Sequence, residues 1–123
     1  MGPARAEPAV TGRLTTHVLD TAHGTPAAGI AVTLCDSAGN EIARSTTNAD
    51  GRLDAPILEG EAFKPGAYVL EFAAGDYFRK LGLNLGDPAF LDTVVIAFGI
   101  ADETHYHVPL LVSPYGYTTY RGS

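Results

Sequence analysis

The run Thr104-His105-Tyr106-His107-Val108-Pro109-Leu110-Leu111-Val112 decides the fold. Tyr106, Val108, Leu110 and Val112 recur at every second position, the period of a β-strand with one face in a core. The intervening residues, His105, His107, Pro109 and Leu111, form the other face, where a solvated sheet normally alternates charged and polar side chains. After the turn signal Ser113-Pro114 the β-like pattern resumes as Tyr115-Gly116-Tyr117-Thr118-Thr119-Tyr120, followed by Arg121-Gly122-Ser123. Chain ends are usually polar and frayed. Here the pattern predicts an end tied into a sheet, placing a phenol, a guanidinium and a hydroxyl together.

The same period extends back through the chain. Strands are predicted over residues 13–19, 30–36, 41–47, 67–73, 92–99, 104–112 and 115–121, with a shorter one near 52–55. Turn chemistry separates them: His23-Gly24-Thr25-Pro26, Ser37-Ala38-Gly39-Asn40, Asp50-Gly51 and Lys64-Pro65-Gly66. Seven or eight short strands at this spacing predict an all-β, antiparallel sandwich. One segment, Asp76-Tyr77-Phe78-Arg79-Lys80-Leu81, has apolar residues at helical spacing, with acid early and base late. It predicts a short helix on the sandwich edge. No repeat or linker interrupts residues 11–123, which read as a single domain behind a disordered lead over residues 1–10.

Composition narrows the function. With 123 residues the chain can bury a core without metal or disulfide staples. A net charge of -6 leaves no excess of Lys and Arg to displace counterions, which excludes nucleic acid as the expected partner. No apolar stretch approaches the ~20 residues of a membrane span, and the first ten residues lack the apolar centre of a secretory signal, so a cytoplasmic protein is expected. The single Cys35, inside the apolar run Ile30-Ala31-Val32-Thr33-Leu34-Cys35, reads as a buried small hydrophobe.

Assigning faces by alternation locates the candidate chemistry. Leu14, Thr16 and Val18 share the inward face of the first strand, leaving Thr15, His17 and Leu19 outside. The outward face of one sheet then collects His17, His107, Pro109, Leu111, Thr118 and Tyr120. Such an apolar face with histidines set into it reads as a subunit contact. His105 and His107 share a side, but two histidines without a firmly placed third ligand make a poor zinc site. An imidazole can act as a general base near neutral pH without metal. Arg52, after the turn Asn48-Ala49-Asp50-Gly51, and Arg121 supply donors for carbonyl or anionic groups. Ser123 lacks the setting of a serine-hydrolase nucleophile.

Three separated blocks resemble the transthyretin-like family, and within it the enzymatic branch that hydrolyses 5-hydroxyisourate in urate breakdown. They are Leu14-Thr15-Thr16-His17-Val18-Leu19-Asp20 with Gly24-Thr25-Pro26-Ala27; Thr47-Asn48-Ala49-Asp50-Gly51-Arg52; and the run from His105 to Pro114 continuing to Tyr120-Arg121-Gly122-Ser123. The terminal tetrapeptide is the specific part, because the hormone-carrying transthyretins replace it and lack the histidines. The resemblance implies a transthyretin-like sandwich that opens 5-hydroxyisourate to 2-oxo-4-hydroxy-4-carboxy-5-ureidoimidazoline, a hydrolase acting on a cyclic amide. It implies catalytic roles for His17, Arg52, His107 and Ser123, substrate contacts from Tyr120, Arg121 and Gly122, and no metal or cofactor. It does not make His105 the base. It also implies a homotetramer, a dimer of dimers with active sites at the dimer–dimer contact. The rival expectation is a small-ligand carrier using the same channel without catalysis.

Overall fold

Alternation between buried and solvent-facing side chains organises the strands that build the core of the computed structural model, which describes residues 12–122. The expected lead over residues 1–10, and Ser123, lie outside the described residues. In chain order the elements are β1 (Arg13–Asp20), β2 (Thr25–Pro26), β3 (Ala31–Asp36), β4 (Glu41–Thr46), β5 (Leu58–Glu59), β6 (Gly66–Phe72), α1 (Ala74–Lys80), β7 (Val94–Ile100), β8 (His105–Ser113) and β9 (Gly116–Thr119). One sheet has the order β2-β1-β8-β9, with β5 also on β1; the other has the order β4-β3-β6-β7. Leu14, Val18, Leu110 and Val112 from the first sheet and Val32, Leu34, Leu70 and Phe72 from the second are fully buried between them.

The all-β sandwich with one short helix agrees with the sequence reading, and three details differ. First, β1 and β8 run parallel, paired from Arg13↔His105 to Asp20↔Val112, in a sheet otherwise antiparallel. A parallel pair needs a long crossover, and the whole second sheet lies between these two strands in the sequence. Second, the short strand predicted near residues 52–55 forms instead at Leu58–Glu59, while Arg52 makes an isolated bridge to His17. Pro56 stands between the two and has no N–H to offer a ladder. Third, Leu81 is half-exposed at the C-cap of α1 rather than in the core. The helix instead buries Ala74, Gly75, Tyr77 and Phe78. Arg79 holds its outer side by pairing with Asp76 at 3.0 Å and Asp92 at 3.2 Å.

The inner face of β1 ends in a fully buried acid, Asp20. Tyr77 donates its hydroxyl to Asp20 Oδ2 at 2.8 Å, and the His23 amide donates to Oδ1 at 3.0 Å. The His23 ring meets Oδ2 at 2.6 Å. Burial pushes the Asp20 carboxyl up, but these hydrogen bonds together outweigh it and leave the group below its usual value. The same contact, after burial, pushes the Tyr77 phenol up to about 12. A carboxyl lowered in the folded state contributes stability above its ordinary pKa of 3.8 and loses it as pH falls through the folded value. Cys35 is buried as expected, and burial raises its thiol.

Tyr77→Phe removes a donor from a buried carboxylate and should cost about 1.5–3 kcal/mol at pH 7. Urea unfolding at pH 7 and at successively lower pH checks this: the cost should shrink as falling pH protonates Asp20.

Candidate functional site

The ladder between β1 and β8 brings two histidine-bearing faces side by side. Thr15 lies opposite His107, and His17 lies opposite Pro109, so His17 and His107 are diagonal neighbours on one surface. Beyond β1 the sheet edge is incomplete. β5 covers it at Arg13 and Leu14, Arg52 bridges at His17, and β2 covers Leu19 and Asp20. Between the first two contacts, residues 52–56 line an open pocket of about 450 Å³. Its walls include Arg13, Thr15, Arg52, Asp54, His105 and His107.

The turn that delivers Arg52 is built by its own sequence. Asn48 Oδ1 accepts from the Asp50 amide at 2.9 Å and from the Arg52 amide at 3.2 Å. The Asn48 side chain also donates to Asp54 at 2.9 Å. Gly51 has φ +74°, and a Cβ there would run into the carbonyl oxygen of Val18. Only glycine meets both conditions. The Gly51 carbonyl accepts from the Val18 amide at 2.8 Å, which fastens the turn to β1.

His107 is half-buried and held on two sides. Its Nδ1 lies 2.8 Å from Thr15 Oγ1. Across from it, the Gly122 amide donates to the His107 carbonyl at 2.7 Å, and a Cβ on Gly122 would come 2.6 Å from His107 Cδ2. The remaining ring nitrogen, Nε2, makes no protein hydrogen bond among the described residues. Burial first, then the charges of Arg52, His105 and His17, hold His107 below the usual imidazole value of 6.5. Burial and Arg13 do the same for His105. A chain of net charge -6 thus gathers two arginines and two imidazoles around one pocket, with Asp54 also in its lining.

The other expected site residues fall as follows. His17, Arg52, His107 and Gly122 are brought together. Tyr120 follows the end of β9, is 57% exposed and lines a second pocket with Tyr106 and Arg121. Arg121 goes elsewhere: its guanidinium stacks 4.0 Å over the Tyr106 ring and reaches Thr104 Oγ1 at 3.4 Å, on the side of the terminal segment away from His107. Ser123 lies outside the described residues. Sequence reasoning passed over Thr15 and Arg13. Alternation did place Thr15 on the outward face with His17, but the register with β8 is what sets it between two imidazoles. No group of three or more metal-ligating side chains occurs among the described residues.

Comparison with known proteins accords with this geometry. The sequence profile of the HIUase/Transthyretin family matches residues 14–122. The chain belongs to that family. It is 57% identical over 124 residues to a 5-hydroxyisourate hydrolase of Pseudomonas aeruginosa, covering 98% of each chain. Among solved structures it matches 5-hydroxyisourate hydrolase of Klebsiella pneumoniae with a TM-score of 0.80 and 35% identity, over 92% of this chain and 100% of that one. It also matches an (S)-allantoin synthase with a TM-score of 0.87 and 41% identity, over 94% of this chain but only 46% of that longer one. Family membership, the all-β fold and the sheet order therefore stand together.

Titration of the imidazole C–H signals by NMR checks the electrostatics of the site. His107 should protonate below 6.5, and Arg52→Gln should raise its midpoint by removing a neighbouring positive charge.

Proposed function

We propose that this chain is a 5-hydroxyisourate hydrolase whose catalytic base is His107. The observation that supports the base assignment is a half-buried imidazole, held below its ordinary pKa, beside Arg52 in an open pocket. An imidazole kept neutral near pH 7 can take a proton from water at the moment of attack.

In the reaction, water oxygen bonds to a ring carbonyl carbon while its proton passes to His107. Arg52 donates hydrogen bonds to the carbonyl oxygen as negative charge develops, where a charged donor strengthens most. The ring C–N bond then breaks, and the leaving nitrogen takes up the proton that His107 holds. His17, bridged to Arg52 through the backbone, handles protons on the neighbouring side of the substrate. Tyr120, Gly122 and Ser123 close the site at the terminal end, with Gly122 seated on the His107 ring. Arg121 contributes by fixing that segment through its stacking on Tyr106. The residues need neither metal nor cofactor for this chemistry.

The assembly belongs to the same proposal. The outward face carrying His17, His107 and Leu111 becomes a contact between dimers in a homotetramer, so that the open pocket turns into a channel wall. No helix among the described residues is long and apolar enough to cross a membrane. A free, buried Cys35 suits the reducing cytoplasm, where we place the enzyme. A passive carrier would gain nothing from this pocket, since gathering cations around a ligand that is not transformed costs desolvation without return.

The test follows the ultraviolet decay of freshly generated 5-hydroxyisourate against its spontaneous rate. His107→Ala should lower kcat about 10²–10⁴-fold, the usual contribution of a general base, with folding retained by circular dichroism. Near-normal turnover in that folded variant overturns the base assignment. The acid limb of kcat/KM should lie below pH 6.5, the side set by the lowered His107 pKa.

A further inference from the structure

One hydroxyl stands between two imidazoles on the outward face of the first sheet. Thr15 Oγ1 lies 2.7 Å from His105 Nε2 and 2.8 Å from His107 Nδ1. A threonine hydroxyl has one proton to give and lone pairs to receive. With both rings neutral it can donate to only one of them. The other ring must then supply an N–H of its own for both contacts to be hydrogen bonds.

We propose that Thr15 is a positioning residue that locks His107 and His105 into complementary tautomers, leaving His107 Nε2 bare toward the pocket. In the arrangement a base requires, His107 Nδ1–H donates to Thr15 and Thr15 donates to His105 Nε2. His105 then carries its proton on Nδ1. The ring nitrogen that makes the hydrogen bond decides which nitrogen is left for chemistry. Geometry restrains the ring further: Thr15 holds its Nδ1 side, and Gly122 packs against Cδ2 so closely that no Cβ fits. Of the two nitrogens only Nε2 is left to meet a substrate.

The contacts also define a path for charge. When water gives its proton to His107 Nε2, the Nδ1 proton moves to Thr15 Oγ1 as the hydroxyl proton moves to His105 Nε2. His105 becomes the imidazolium, and His107 is neutral with its proton on Nε2. As that proton passes to the leaving ring nitrogen, His105 Nε2 returns its proton to Thr15, and the hydroxyl proton returns to His107 Nδ1. The only net changes are the C–O bond formed, the C–N bond broken and one proton carried from water to nitrogen. Positive charge is thereby moved from the imidazole beside Arg52 and His17 to the one beside Arg13. This inference rests on His107 as the base of the hydrolase reaction.

The experiment measures two things on the full-length protein. Nitrogen-15 NMR of labelled histidine reads the tautomer of His107 directly, without turnover. Wild type should show one tautomer, protonated on Nδ1, and Thr15→Val should show a mixture or the opposite one. Valine keeps the branched shape that suits a strand while deleting the hydroxyl. Kinetically, Thr15→Val should lower kcat about 10–100-fold, part of the range available to a general base, with KM changed less than about twofold. Thr15→Ser restores the hydroxyl and should return both the tautomer and most of kcat. Thr15→Ala reads the same quantities if the valine variant does not fold. Unchanged tautomer signals and kcat in the hydroxyl-less variant, with His107→Ala inactive, would overturn the proposal alone. An active His107→Ala protein would instead remove the base assignment beneath it.

Discussion

Everything at the site depends on the parallel pairing of β1 with β8. No local signal brings these strands together, since they lie at opposite ends of the chain. They meet because each carries apolar residues on its inward face, Leu14 and Val18 on one and Val108, Leu110 and Val112 on the other, and burying them is the dominant gain. The pairing register then has no freedom, because a slip of one residue would turn the slipped strand's apolar set outward. Thr15 faces His107 and His17 lies diagonal to it as a consequence of core packing.

A second constraint is electrostatic. Arg13, Arg52, His105 and His107 line one pocket, so protonating either of these imidazoles opposes charges already present. Burial adds to this by penalising the charged form. Neutral imidazoles next to permanent guanidinium charges suit a reaction in which negative charge appears on oxygen and a proton must be taken from water. On the inner side of the same strand, Asp20 has the reverse treatment, with donors from Tyr77 and His23 keeping it ionised.

Much of this was legible in the chain. The two-residue period placed Tyr106, Val108, Leu110 and Val112 inside, and put His17 and His107 on one outward face. The Asn-Ala-Asp-Gly turn announced itself through residues with specific backbone preferences, and Gly51 indeed requires a positive φ. What could not be read was contact across strands. Alternation says which side Thr15 faces but not which neighbour it meets, and that neighbour gives the hydroxyl its significance. Arg121 shows the same limit in reverse. One residue from Gly122, it points to the opposite side and stacks on Tyr106, although its position in the sequence suggested membership of the cluster. The short strand moved from near Arg52 to Leu58 because hydrogen bonding through Pro56 is incomplete.

The numbering of the two central strands divides by parity. On β1 and β8 the even positions, 14, 16, 18 and 20 with 106, 108, 110 and 112, face the core. The odd positions, 13, 15, 17 and 19 with 105, 107 and 111, are exposed or half-buried, and of the odd residues only Pro109 is covered. Fold and chemistry are thus written on interleaved residues of the same two segments. A change at an odd position alters the surface chemistry while leaving the packed stripe of even residues in place. Such a scaffold can be rewritten for a different ligand or reaction one alternate residue at a time, without first being made to fold again.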